Sequence, residues 1–213
     1  MKRALVVLSA ATLMTGVATA QDELSRFAFS VGAGFTTPVQ TAGERLNRGW
    51  NAGVGAGVNF SPYFGALVEG NYNRMGINQP TLNAVGFPGG NVSMWSATLN
   101  PIVHLTPRRA VDAYFIGGGG LYRWNQQFTQ PAVETFTAFD PYFGVFYPVA
   151  VPVTQVLTEY TVNKFGFNGG FGLAFGAPGL GKAKFYSEAR FHRMLLGANR
   201  YVDMVPVTFG VRF

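Results

Sequence analysis

An eight-stranded antiparallel up-and-down transmembrane β-barrel is the all-β fold that this sequence predicts. Three observations favour it: an export signal, an apolar composition without a long apolar helix, and eight segments of alternating apolar and polar residues. Charged residues make up 12% of the chain, whereas a soluble domain is roughly 25% charged. Glycines and polar residues interrupt every apolar stretch after the N-terminus. Two structures satisfy all backbone polar groups in lipid, the α-helix and the closed β-barrel. Without a long apolar helix, the closed barrel remains.

The first 20 residues have the pattern of a secretory signal peptide, whose removal leaves a barrel domain of residues 21–213. Lys2 and Arg3 precede an apolar run over 4–17, and Ala18-Thr19-Ala20 fits a cleavage site. The alternative is a membrane anchor, but the run is shorter than the ~20 residues of a spanning helix. Because the chain has no cysteine, nothing can mispair in an oxidising periplasm.

Four alternating segments occupy the first half of the chain, at 26–36, 50–60, 64–75 and 92–105. In each, one face is aromatic or aliphatic and the other is small or polar. The polar faces of the third and fourth segments carry Glu69, Asn71, Asn73, Ser96, Thr98 and Asn100. A narrow barrel needs small or polar residues inside and apolar ones outside, the reverse of a soluble sandwich.

Four further segments follow, at 113–124, 162–175, 184–194 and 205–213. The fifth contains four consecutive glycines, Gly117 to Gly120, with aromatic residues at strand spacing on both sides. A nucleotide site would need a glycine-rich turn that opens a helix, and a flexible linker would lack the flanking pattern. We therefore interpret the run as a crowded strand. The eighth segment ends in Phe209, Val211 and Phe213.

Connection lengths alternate between short and long along the chain. The links after segments two, four and six are short, and those after one, three, five and seven are longer. With both termini in the periplasm, this alternation predicts short periplasmic turns and longer external loops.

This pattern resembles the OmpA-like or OmpX-type family of small outer-membrane barrels, for the barrel domain only. The resemblance is carried by the architecture, by the phrases Tyr114 to Tyr122 and Glu188 to Arg193, and by the aromatic residue that closes the last strand. It implies a bacterial outer-membrane location. It also implies that Phe209, Val211 and Phe213 form the signal by which the barrel-assembly machinery recognises the chain.

The residues offer little for catalysis, metal binding or nucleic-acid binding. A Ser nucleophile and its His base must lie on the same face of a strand. Ser187 and His192 are five residues apart, so they lie on opposite faces. In a His-x-Ser motif starting at His192, the serine position is occupied by Met194. His104, the other histidine, is expected at a different depth, so we expect neither a metal nor a cofactor. The net charge is +6, but scattered basic residues suit lipid headgroups better than nucleic acid.

Two features remain as candidate sites. The first is a polar set expected on inward faces, consisting of Glu69, Arg123, Lys164, Glu188, Arg190 and His192. Residue counting places Arg190 near mid-height, where we predict that it bridges Glu69 and Glu188 and helps to plug the barrel. The alternative is that each charge faces its own water.

The second candidate is the 125–161 link, which we predict to be a hairpin continuing strands five and six. Its candidate surface contacts are Phe136, Phe139, Tyr142, Phe143, Phe146 and Tyr147. Ordinary loops rarely exceed ~12–15 residues, and disordered segments are poor in aromatics. We therefore expect a non-enzymatic outer-membrane protein with a structural or surface-interaction role, in contact with outer-membrane lipid and with a surface partner. The alternative is a narrow channel for small or apolar solutes.

Overall fold

The computed structural model describes residues 26–107, 109–176, 183–198 and 200–213. The predicted signal peptide, residues 1–20, lies outside them. The eight strands are β1 (Phe27–Val39), β2 (Leu46–Asn59), β3 (Phe64–Ile77), β4 (Gly89–His104), β5 (Val111–Asp140), β6 (Val145–Gly176), β7 (Lys184–Gly197) and β8 (Arg200–Arg212). Two short helices, α1 (Thr41–Arg45) and α2 (Gln79–Val85), follow β1 and β3.

The strands form a closed barrel in chain order, and every neighbouring pair is antiparallel. The predicted fold is therefore confirmed. β1 closes the ring by pairing with β8, for example Phe35 with Val207. The stagger of the barrel can be counted from directly opposed residues on neighbouring strands. A path that starts at Arg74 of β3 and passes through all eight strands returns to β3 at Phe64, ten residues away. This stagger gives the strands the tilt that a closed barrel requires.

The outer surface carries an apolar band between two belts of aromatic residues. In the belt at the end of the barrel that carries α1 and α2, Tyr72 contacts both Trp50 and Trp95, with ring centroids 5.2 and 4.6 Å apart. The opposite belt comprises exposed Phe27, Phe60, Phe64, Phe175, Phe185 and Phe213. Ten residues separate Trp50 from Phe60, which at ~3.3 Å per residue and ~40° tilt is about 25 Å, the height of a membrane band.

We call the end with the helices the loop end and the other the turn end. Between them, the interior is stacked in three layers. A cluster near the loop end includes Leu46, Met75, Val92, Met94, Trp124, Met194 and Met204. A cluster near the turn end includes Leu67, Ile102, Tyr114, Ile116 and Tyr186. Between the two lies a layer of buried polar side chains that includes Glu69, Asn100 and Arg190.

Helix α2 contributes to the loop-end cluster. Asn78 caps the helix by accepting a hydrogen bond from the backbone N–H of Thr81 at 3.0 Å, and Gly86 ends it at φ 76°. These two residues hold the helix so that buried Leu82 packs against the cluster. In the described part of the chain, no helix has the length and apolar character needed to cross a membrane.

Of two connections, one agrees with the sequence prediction and the other does not. The predicted hairpin over 125–161 is confirmed, because β5 and β6 remain paired as far as Asp140 and Val145. By contrast, the expected longer link after the seventh strand is wrong. There β7 and β8 continue beyond the predicted ends, until Gly197 pairs with Arg200. Outside the membrane band, strand pairing continues without lipid on one face, so inward–outward alternation no longer marks the ends of the strands.

Candidate functional site

Arg190 is the centre of the polar layer. On β7, alternation turns Arg190 and Glu188 into the lumen, and Glu69 reaches them from β3 on the other side. Arg190 donates two hydrogen bonds to Glu69, from Nη1 to Oε2 at 2.6 Å and from Nη2 to Oε1 at 2.8 Å. Its Nε donates to Glu188. These are the contacts that the sequence predicts, and all three side chains are buried.

Neutral side chains complete the coordination of both carboxylates. Asn100 donates to Glu69 through its amide nitrogen, and Asn168 donates to the Asn100 oxygen at 2.9 Å. The Tyr114 hydroxyl donates to Glu188 at 2.9 Å. Buried charges are tolerated when they are paired and hydrogen-bonded in this way. The network therefore spans β3, β4, β5, β6 and β7 and fixes the positions of side chains from opposite walls.

Sequence reasoning left Arg212 out of the lumen set, although strand alternation placed it on an inward face. Its guanidinium lies over the rings of Tyr114 and Tyr186, at 4.7 and 5.1 Å from their centroids. It also approaches Glu188, at 3.8 Å between Nη2 and Oε2. The alternation of faces along the last strand was enough to identify Arg212 as an inward residue. Arg212 therefore adds a second cation below Arg190, closer to the turn end.

Glycines on the inward faces make room for the large tyrosine rings. A Cβ atom at Gly172 would lie 2.3 Å from the ring of Tyr114, and one at Gly166 would lie 2.8 Å from the ring of Tyr122. Because these positions lack a side chain, both rings can lie across a neighbouring strand. Tyr122 in turn shares a 3.0 Å hydrogen bond with Nδ1 of buried His192. The predicted lumen position of His192 is thus the observed one.

Arg123 and Lys164 do not join this network. Arg123 was expected in the lumen, but it is exposed on the outer face beside Trp95, and this assignment was wrong. Arg123 lies two residues after outward Leu121, so the two share a face of the strand. The preceding glycine run hid this relation, because glycines have no side chain that shows which face is apolar. At the aromatic belt, its head can reach the lipid headgroups. Lys164 faces inward, half-buried opposite Tyr122, but makes no ion pair with any described residue.

Among the residues that the structure describes, the candidate catalytic and metal-binding side chains are not brought together. Ser187 is on the outer face of β7 and His192 on the inner face. His104 is bound to Asp112 instead, with 2.5 Å between Nδ1 and Oδ2. Among the described residues, no three His, Cys, Asp or Glu side chains are grouped as metal ligands. A cavity of about 20 Å³ adjoins Arg190 and Glu69, which is room for roughly one water.

The long hairpin, defined as residues 125–161, is the second candidate site. Its two strands are joined at the tip by a turn in which Asp140 Oδ1 accepts from the backbone N–H of Tyr142 at 2.8 Å and of Phe143 at 3.3 Å. The rings of Phe139 and Phe146 lie 4.9 Å apart. All six predicted contact residues are exposed, from 46% for Tyr147 to 87% for Tyr142. At ~3.3 Å per residue, the hairpin extends about 50 Å beyond Trp124.

Comparison with known proteins agrees with this architecture. The model of the family described as the outer membrane protein beta-barrel domain matches residues 5–213. Neisserial surface protein A, from Neisseria, is 14% identical with a TM-score of 0.56, over 88% of this chain and 96% of that one. Ail of Yersinia pestis, solved with the heparin analogue sucrose octasulfate, is 17% identical with a TM-score of 0.46, over 88% and 99%.

A third solved structure, the N-terminal β-barrel domain of OprF from Pseudomonas aeruginosa, is 13% identical with a TM-score of 0.40, over 88% of this chain and 98% of that one. None of the curated proteins compared matches the sequence. The family match covers nearly the whole chain, and the likeness to Neisserial surface protein A shows the same fold. The chain therefore belongs to the outer membrane protein β-barrel domain family, and its location is the bacterial outer membrane, as the sequence predicts.

Proposed function

We propose that this chain is a non-enzymatic barrel whose lumen is plugged by its own side chains and whose long hairpin acts at the cell surface. The barrel supplies a rigid anchor in the outer membrane, with the loop end outside and the turn end in the periplasm. The barrel-assembly machinery would insert it, with Phe209, Val211 and Phe213 as the signal in the last strand.

The ion-paired layer around Arg190 carries the proposal. Arg190 joins Glu69 on one wall to Glu188 on its own strand, and apolar clusters fill the lumen above and below. A solute crossing the barrel would have to separate buried charges, which is costly. The alternative function, a narrow channel for small or apolar solutes, has less support, because the cavity beside Arg190 is about 20 Å³.

Bilayer conductance tests the plug. The wild-type chain, reconstituted in a planar bilayer, is expected to show almost no ion current, and Arg190→Ala is expected to raise the current by removing the bridge. Arg193→Ala is the matched control, since Arg193 is an arginine of the same strand that pairs with Asp203 at 2.7 Å on the outer face. A wild-type current as steady as that of an open pore would contradict the plug.

The hairpin is the part proposed to interact. It exposes large aromatic side chains far from the membrane band, and exposed apolar surface of this kind marks interaction sites. Removing residues 130–160 and joining Thr129 to Thr161 should leave a folded barrel that has lost any surface interaction of the full chain. Retention of all such interactions by the shortened chain would contradict the proposal without affecting the plug.

A further inference from the structure

The hairpin leaves the barrel as a ribbon of only two strands. β5 pairs with β4 no further than Thr129, opposite Gly89. β6 pairs with β7 only from Gly166, opposite Met194, toward the turn end. Beyond those points, each strand has a single hydrogen-bonded neighbour in the described part of the chain. Both outer edges of the ribbon therefore present backbone groups to solvent, and an isolated two-stranded ribbon is marginally stable in water.

Prolines reveal which residues point their backbone groups away from the ribbon. Pro148 and Pro152 lie within β6, opposite Thr137 and Val133. Proline has no N–H, so within a paired strand it occupies positions whose N–H side faces away from the partner. Their cross-strand partners share this orientation. The outward groups are thus those of odd-numbered residues 131–139 on β5 and even-numbered residues 146–154 on β6.

The two edges differ in how well they can accept another strand. On the β6 edge, Pro148 and Pro152 interrupt the row of donors at alternate outward positions. On the β5 edge, Pro131 lies at the end nearest the barrel. The outward residues beyond it are Val133, Thr135, Thr137 and Phe139. The β5 edge can therefore form a continuous ladder, whereas the β6 edge is protected by a common device against strand addition.

We propose that the β5 edge of this chain pairs with the β5 edge of a second copy, antiparallel and centred on Phe136. This proposal rests on the surface role of the hairpin and names its partner. In this register, Thr135 of each copy forms a hydrogen-bonded pair with Thr137 of the other, and Val133 pairs with Phe139. The two Phe136 residues face each other in a non-hydrogen-bonded pair, the closer of the two kinds.

The local sequence suits this two-fold arrangement. Thr135-Phe136-Thr137 reads the same in both directions, so the pairs nearest the axis are chemically matched. Further out, Glu134 faces Ala138 and Asp140 faces Ala132, which keeps like charges from lying opposite each other. Cross-strand pairs of aromatic residues and of threonines stabilise sheets. A second copy therefore meets no directly opposed charges along this edge.

The direction of β5 determines which copies can meet. All copies in one membrane run β5 outward in the same direction, so antiparallel pairing joins copies in two facing membranes. Pairing produces a four-stranded sheet whose outer edges are both β6, and the prolines there stop further addition. Both copies use the same edge in this contact, so the contact joins two chains and leaves no free β5 edge for a third. Each contact is short and weak, but many contacts between two membranes act together.

Vesicle aggregation tests the pairing with the chain itself as the probe. Neutral phosphatidylcholine vesicles carrying the full chain are prepared with two dyes and mixed, and mixed clusters are counted. We expect Thr135→Pro to reduce clustering by at least tenfold, because a loss of roughly 1.4 kcal/mol is tenfold for one contact and the losses of several contacts multiply. Ala150→Pro is the matched control and should cluster like the wild type, because Ala150 is the cross-strand partner of Thr135 on the already protected edge.

Cross-linking tests the register. The chain has no cysteine, so a single introduced cysteine can form a disulfide only with the same cysteine of another copy. With a mild thiol oxidant added, Phe136→Cys should form a disulfide between vesicles of different dyes, because directly opposed Cβ atoms lie about 4.5–5.5 Å apart. Ala138→Cys lies on the same face and edge, but in this register it faces Glu134, so it should not cross-link.

Three outcomes would overturn the proposal. The first is equal clustering by Thr135→Pro and the wild type, with both proline variants folded by heat-modifiable migration in gels. The second is cross-linking of Phe136→Cys only within one vesicle, which would indicate parallel pairing between copies in the same membrane. If vesicles fail to cluster while the hairpin binds another protein, self-pairing is wrong and the surface role remains.

Discussion

Replacing Arg190 by alanine should destabilise the barrel more than any change to an exposed charge. The substitution leaves the carboxylates of Glu69 and Glu188 buried without their cation, at 6% and 5% exposure. Breaking a buried ion pair from one side costs about 3–5 kcal/mol. Since one guanidinium serves both carboxylates, we expect a loss near the upper end, about 4–5 kcal/mol.

Equilibrium unfolding in urea, with the barrel in lipid vesicles, measures this loss. Arg193→Ala provides the comparison on the same strand. Arg193 also makes two hydrogen bonds to one carboxylate, that of Asp203, at 2.7 and 2.9 Å. The Arg193 side chain is 27% exposed and that of Asp203 is 1% exposed, so Arg193→Ala leaves one buried carboxylate without its cation, whereas Arg190→Ala leaves two. Arg193→Ala should therefore destabilise the barrel clearly less than Arg190→Ala.

A paired substitution distinguishes lost charge balance from lost packing. Arg190→Met combined with Glu69→Leu removes both charges and keeps the volume, while Glu188 retains Tyr114 and Arg212 as neighbours. Apolar replacement of a buried pair is often neutral or stabilising, so the double variant should recover most of the lost stability. A loss below about 1 kcal/mol for Arg190→Ala, or a double variant no more stable than the single one, would refute the reasoning.

Three further outcomes are expected. Gly172→Ala should lower the yield of folded barrel, because the new Cβ would lie 2.3 Å from the Tyr114 ring, whereas Gly169→Ala meets open space and should fold like the wild type; equal yields in refolding gels would contradict this. Deleting Phe213 should reduce outer-membrane levels, because its backbone exchanges two hydrogen bonds with Phe29, at 2.8 and 3.1 Å; normal heat-modifiable migration would count against it. The hairpin should resist protease on intact cells, and cleavage at many points within 125–161 would show that it is not paired.

Alternation was a reliable guide wherever a strand has lipid on one side and packed side chains on the other. In β6, the phenylalanines from Phe165 to Phe175 point outward and Lys164 and Asn168 point inward, as the sequence predicts. The mid-height contacts of Arg190 followed from parity and residue counting, because strand geometry converts sequence distance into height. Both inferences depend only on regular geometry inside the band.

Sequence reasoning failed where that two-sided environment ends or where side chains are absent. The four glycines of β5 carry no facial preference, so the parity of Arg123 was misjudged, although Leu121 two residues earlier is exposed. The closing of β7 and β8 at Gly197 depends on backbone conformation at φ 89°. Arg212 was overlooked because its nearest contacts are the rings of Tyr114 and Tyr186, and its approach to Glu188 comes from a neighbouring strand.

The seam between β1 and β8 has a consequence for the timing of assembly. Phe35 and Val207 are direct neighbours but lie at opposite ends of the order of strands, so the ring closes only after β8 has crossed the inner membrane. Contacts of such long sequence separation form slowly. Until then, the outward phenylalanines and the unpaired edge of β1 are exposed to aggregation. We therefore expect the same seam that completes the barrel to leave the chain prone to aggregation in water until β8 is available.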